Sequence, residues 1–347
     1  MKLFFYSITL GICCQLVSCS VDPKIKPQLP SDDIREIIPE GWPQPVYTFQ
    51  DNQLSQDKFI LGRELFYEEM FSKDNSISCG SCHQGFVAFA NAEHRFSHGV
   101  GDSLGNRNAP ALFNMNWNTS FMWDGGILHI ENQPLGPIAN PLEMHEDINN
   151  AIAKLQASNK YKQLFTLAFG DDQISTQRIL KAIAQFQGML YSYNSKYDQY
   201  KRGEEGVQFT AQEQNGYLLF QQKCNSCHSE PLFTNFEFKN NGLSIDPTIQ
   251  DSGRAHITGN PLDRYKFKTP SLRNIGLTTP YMHDGRFITI DQAIEHYASG
   301  IVDNGTLDPN LSGGVSLSAQ EKADLKSFLL TLTDYTFIND ERFKDPN

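Results

Sequence analysis

The sequence has little cysteine and none to spare for a disulfide. Of seven cysteines in 347 residues, Cys13 and Cys14 lie in an amino-terminal apolar run and Cys19 directly follows it. The other four form two C-x-x-C pairs, Cys79/Cys82 and Cys224/Cys227. A fold stapled by disulfides is therefore excluded. The apolar run, Leu3 to Val17, is too short to span a bilayer. Positive charge is in deficit: 29 Lys and Arg against 40 Asp and Glu leave a net charge of −11. Such a chain repels phosphate rather than displacing its counterions, which argues against nucleic acid. Runs of alternating β-branched residues are missing as well, so the fold class expected is all-α.

What is present begins with an address. Met1-Lys2 and the apolar run read as a secretory signal over residues 1–18. The run closes on Leu16-Val17-Ser18-Cys19, which resembles a bacterial lipobox. Cleavage before Cys19 would leave its thiol to carry a lipid; the alternative is an ordinary signal in which Cys19 has no role. Residues 19–45 carry six prolines, Pro23, Pro27, Pro30, Pro39, Pro43 and Pro45, and read as an extended tether. The expectation is an exported lipoprotein of the cell envelope, facing the periplasm and touching the membrane through its lipid alone.

Helical signals start at Ser55, a plausible N-cap. Ile179, Ile183, Phe186 and Leu190 follow at helical spacing, and Thr210–Glu213 and Ser318–Glu321 are capping boxes. A Gly-, Asn- and Pro-rich stretch from Gly85 to Glu143 reads as loops wrapped around a ligand. The polar segment Lys201–Gly206 suggests a boundary, giving domains 46–204 and 205–347. These two halves are a diverged repeat. Gly62-x-x-Leu65-Phe66 matches Gly216-x-x-Leu219-Phe220, and Asn108-Ala-Pro110-Ala-Leu112 matches Lys268-Thr-Pro270-Ser-Leu272. Trp123-Asp124-Gly125 matches His283-Asp284-Gly285, fourteen positions separating Pro from Asp in both halves.

Each C-x-x-C pair runs directly into a histidine, His83 and His228. C-x-x-C-H attaches c-type haem: two thiols on one helical turn reach the two vinyl groups, and the next residue offers its imidazole to the iron. A redox dithiol or half a zinc site explains one such match but not two, a domain apart. Two covalently attached haems are expected, with His83 and His228 as proximal ligands.

The sixth iron position decides the chemistry. Thirteen residues after Asp124 stands Pro137, which cannot ligate; thirteen after Asp284 stands Tyr297, which can. Met282 and His296 are nearby alternatives, and a packed aromatic is the bland reading of Tyr297. Gln133 and Glu143 flank Pro137. An amide can hold peroxide, and a buried carboxylate can carry a proton between its oxygens. Leu142 and Met144 suggest burial for Glu143, against the alternative of a solvated loop carboxylate. The acidic surface suits a basic electron-donor protein by electrostatic steering, or serves solubility alone.

Over residues 46 to 335 the chain resembles the bacterial di-haem cytochrome c peroxidase family. The resemblance rests on both C-x-x-C-H sites, Arg107-Asn-Ala-Pro, Trp123-Asp-Gly, Gln133 to Met144, and Leu277 to Gly285. It implies two cytochrome-c-like haem domains in tandem, reduction of hydrogen peroxide at the first haem, and electrons relayed through the second. The donor would be a small cytochrome or cupredoxin, or a quinol-linked carrier. The resemblance further implies one Ca2+ held by the Asn108 side chain and the Thr278 and Pro280 carbonyls, with Trp123 between the haems. That tryptophan would relay electrons, unless it is simply a core aromatic. His98 resembles a loop histidine that caps the resting peroxidatic iron, and a dimer is the family's habit. Tyr297 stands where many members place Met and resembles the MauG-like branch. Its members use stored oxidising equivalents on a protein or small-molecule substrate. A plain di-haem electron carrier is the third reading.

Overall fold

The computed structural model describes residue 1, residues 34–92 and residues 94–346. The expected export signal, Cys19 and the tether up to residue 33 lie outside the described residues. From Ile34 onward the chain is packed rather than extended. Ile34, Ile37 and Trp42 rest on the first hydrophobic core. Trp42 meets Trp117 edge-on at 5.0 Å and lies 4.6 Å from the Arg273 guanidinium. The prolines suggested a tether there, yet the apolar residues between them gain more by burial than by staying in water.

Among the described residues the fold is all-α apart from one ribbon, Phe238–Lys239 paired antiparallel with Phe267–Lys268. Five helices carry the architecture: α1 (Gln56–Phe66), α2 (Thr176–Gly188), α3 (Ala211–Lys223), α4 (Ile290–Glu295) and α5 (Ala319–Leu330). Their starts are fixed locally. Ser55 accepts from the Lys58 amide, and Thr210, Thr289 and Ser318 each close a reciprocal capping box. Helix α2 stops at Gly188, short of Leu190, which is buried beyond its end. Residues 85–92 and 94–143 form loops and short turns, as their composition suggested.

The repeat is physical. Helix α1 crosses α2 with Phe66 4.9 Å from Phe186; α3 crosses α5 with Phe220 5.1 Å from Phe328. Glycine makes both crossings close. A Cβ on Gly62 would lie 1.9 Å from the Ala182 carbonyl oxygen, and one on Gly216 would lie 2.0 Å from that of Asp324. Gly216→Ala must force α3 and α5 apart. It is expected to lower stability by about 1–3 kcal/mol, read as a lower denaturation midpoint of the holoprotein.

Further contacts repeat in register. Asn114 and Asn274 both adopt left-handed backbone, as do Met122 and Met282. Phe121 N donates to Ile127 O, and Tyr281 N to Phe287 O, each at 2.7 Å. The halves then meet about a pseudo-two-fold axis through exchanged bonds. Asn108 N donates to His283 O and Lys268 N to Trp123 O, both at 2.8 Å. Arg95 Nε reaches Asp284 O and Arg254 Nη1 reaches Asp124 O, both at 2.9 Å.

Each half has its own core, but the chain crosses between them. Tyr197, before Lys201–Gly206, packs in the second core against Phe233 at 4.8 Å. Asp198 there pairs with the fully buried Arg273 at 2.7 Å. Conversely, Phe337 and Phe343 at the carboxyl end lie in the first core.

Candidate functional site

Ser78 opens a single helical turn, Cys79–Cys82, and Ser81 returns its hydroxyl to the Ser78 amide at 3.1 Å. The turn places both thiols on one side and ends on His83, whose amide bonds Cys79 O at 2.9 Å. His83 Nδ1 lies 3.0 Å from Phe89 O, and a carbonyl can only accept. Nδ1 therefore carries the proton and Nε2 keeps its lone pair for a metal. His228 repeats this, with Nδ1 3.2 Å from Phe233 O and 3.1 Å from Pro270 O. Burial pulls both imidazoles down to about 4, so both are neutral at pH 7.

The thiols themselves argue against a redox pair. Burial pushes Cys79 and Cys224 up to about 12, whereas a reactive dithiol needs a lowered pKa. Among the described residues, no cluster of His, Cys, Asp or Glu completes a zinc site.

Around the first motif, Glu143 lies close enough to feel both Cys79 and Cys82. Burial raises its pKa, and a 2.7 Å hydrogen bond from Asn140 Nδ2 opposes the rise. Glu143 is half-buried between buried Met144 and Leu142, which is 41% exposed. Gln133 is buried and accepts from Gln187 Nε2 at 3.0 Å, which orients its amide. His98 is exposed, its ring 4.8 Å from that of His94. The next residue, Gly99, sits directly on the Glu143 segment: a Cβ there would lie 2.2 Å from Leu142 O.

Around the second motif is a cavity of about 320 Å³, lined by Cys224, Cys227, His228, Met282, Tyr297 and, from the other half, Trp123. Tyr297 lies in a π-helical turn, His296–Gly300, continuing α4; such turns recur at functional sites. Burial raises its phenol pKa, a hydrogen bond from Asn241 lowers it, and Cys224 and Cys227 raise it again. His296 is turned to Asn241 O at 2.9 Å and takes no part in the cavity wall. Met282 does line the cavity, with its sulfur 3.4 Å from Asn241 Nδ2. Trp123 Nε1 donates to Asn108 O at 2.8 Å, and Asn108, Thr278 and Pro280 all face the same cavity.

A model of the di-haem cytochrome c peroxidase family matches residues 56–206. The methylamine utilization protein MauG of Methylophilus methylotrophus is 33% identical over 309 residues, covering 85% of this chain and 86% of that one. Cytochrome c551 peroxidase of Nitrosomonas europaea is 35% identical over 251 residues, 69% of this chain and 72% of its own. The crystal structure of a MauG-like protein associated with microbial copper homeostasis superposes with a TM-score of 0.78. It is 36% identical, covering 89% of this chain and 98% of that one.

The chain belongs to the di-haem cytochrome c peroxidase family. Membership makes it a haem peroxidase-type oxidoreductase with two haems, and the residues present fit that cofactor. Both motifs offer paired thiols and a neutral imidazole with a free Nε2, and the second opens on a cavity walled largely by apolar side chains.

Sequence reasoning missed three features of this di-haem chain. Asn241 contacts Tyr297 and Met282 with its side chain and His296 with its carbonyl. Gln187 orients Gln133 from α2. Lys268 lines the inter-half cavity and donates to Ser120 O at 2.7 Å. Only Lys268 carried a signal, as the charged partner of Asn108 in the repeat.

Proposed function

We propose that this protein reduces hydrogen peroxide to water at the first haem, in the half 46–204, with electrons delivered through the second, in 205–347. The observation that carries the reading is the asymmetry across the repeat. Pro137 stands at the repeat position that Tyr297 holds in the second half, and Tyr297 there shares a cavity with Cys224, Cys227 and His228.

Bound through Cys79, Cys82 and His83, the first haem would supply an iron that accepts peroxide and stores oxidising equivalents. The chain does the rest. The Gln133 amide, fixed by Gln187, holds the peroxide. Glu143 takes the proton from the inner oxygen and returns it to the outer one, so that water departs. Two further protons and two electrons complete H2O2 + 2H+ + 2e− → 2H2O. Trp123, anchored to Asn108 O, lies on the route between the halves. Tyr297 and His228 would hold the second iron, and a phenolate would favour its oxidised states.

A Ca2+ would be held by the Asn108 side-chain oxygen and the Thr278 and Pro280 carbonyls. These three oxygen sources suit that ion, and all face one cavity. The Asn108 amide nitrogen points to the His94 and Arg95 carbonyls, which turns its oxygen the other way. His98, next to Ser97 whose hydroxyl bonds the Cys82 thiol, would cap the first iron in the resting enzyme. Residues 1–18 export the chain, Cys19 carries a lipid, the enzyme faces the periplasm, and two copies pair as a homodimer. Its donor is a small cytochrome or cupredoxin, or a quinol-linked carrier.

Tyr297 also favours a second reading, in which stored equivalents oxidise a protein or small molecule as in MauG-like proteins. Peroxide added to the diferric and to the half-reduced protein separates the two in a stopped-flow spectrometer. Rapid consumption only after half-reduction supports the peroxidase. A long-lived oxidised state formed without reduction supports the oxidase, and inertness at every redox level overturns both.

A further inference from the structure

The pseudo-two-fold axis pairs every residue of the proposed calcium site with a counterpart. Asn108 corresponds to Lys268, Thr278 to Asn118 and Pro280 to Ser120, in the register that also pairs Trp123 with His283. Asn108 N and Lys268 N make the exchanged 2.8 Å bonds across the axis, so the two positions are equivalent in space as well as in sequence. Asn118 and Lys268 line the same cavity as Asn108, Thr278 and Pro280.

At one site of this pair a neutral amide leaves carbonyl oxygens facing the cavity. At the other, the Lys268 ammonium itself donates to Ser120 O at 2.7 Å, the counterpart of the Pro280 carbonyl. Burial lowers the Lys268 pKa to about 8 and nearby Asp124 opposes the fall, so the ammonium form still predominates at pH 7. Buried carbonyl oxygens need a donor or a cation, and a lysine supplies both at once. We infer that the Lys268 ammonium is a tethered cation filling the dyad-related twin of the calcium site. The twin site would accept Ca2+ if the lysine were withdrawn. This rests on the proposed calcium site for the identity of the ion, but not for the place of Lys268.

The test counts calcium in di-haem holoprotein after equilibrium dialysis against Ca2+, by atomic emission, relative to haem iron. Lys268→Asn, which copies Asn108, is expected to hold one more equivalent than the wild type. Asn108→Lys, the converse, is expected to hold one fewer. No gain in Lys268→Asn overturns the inference, even where Asn108→Lys loses its ion and the first site stands. Equal calcium in wild type and Asn108→Lys removes the first site instead, and a gain in Lys268→Asn still upholds the second. If Lys268→Asn does not retain both haems, Lys268→Ser also withdraws the ammonium and carries the same expectation.

Discussion

Replacing Glu143 by Gln is expected to cut peroxide turnover by about 10²–10⁴-fold, the usual worth of a positioned acid–base group. The side chain keeps its shape and can still pair with Asn140, but it can no longer accept a proton. The cost corresponds to about 3–5 kcal/mol of barrier. Haem content and the resting spectrum should be unchanged, because Glu143 is not placed as an iron ligand. The wild-type pH profile provides a second check. Burial raises the Glu143 pKa, and the carboxylate form must start the transfer. Activity should therefore fall as pH drops through a value above the ordinary carboxylate range, and that acid limb should vanish in the variant. Unchanged turnover in Glu143→Gln would remove it from the mechanism.

Tyr297→Met is expected to raise the reduction potential of the second haem by a few tenths of a volt, on the order of what axial ligand exchange produces. A phenolate stabilises the oxidised iron, whereas a thioether favours the reduced one. The substitution should make the second haem easier to reduce, so that the half-reduced state, and with it rapid peroxide consumption, is reached at a higher potential. Spectroelectrochemical titration reads the potential, and rapid mixing with peroxide reads the change in behaviour. Tyr297→Phe separates ligation from packing. It keeps the ring and removes the oxygen, leaving Met282 on the cavity wall as the nearest replacement. A Tyr297→Phe spectrum identical to wild type would show that the phenol never reached the iron.

Much of this was legible because it is local. Helix caps at Ser55, Thr210 and Ser318 need only neighbours three residues away, and the C-x-x-C-H turns carry their chemistry within five positions. The repeat was readable too, because equal spacing survives divergence. What the chain did not announce depends on the meeting of the halves. Phe337 and Phe343 return to the first core, and Asp198 reaches forward to Arg273. The exchanged bonds of Asn108 and Lys268 exist only once the pseudo-two-fold is assembled. Proline density disguised the packing of Trp42, because proline is equally at home in a tether and in a strap laid on a surface. Leu142 misled for a different reason: an apolar residue beside a buried one is often exposed.

The central claim is that one haem keeps an accessible face and the other is occupied by Tyr297. Counting exogenous ligands tests it most directly: cyanide titrated into the diferric holoprotein and carbon monoxide into the half-reduced and fully reduced forms. The account predicts one tightly ligand-accessible haem per chain, at the site of Cys79, Cys82 and His83, and a second that retains its own ligand in the ferric state. A first haem closed to both ligands at every redox level would contradict it.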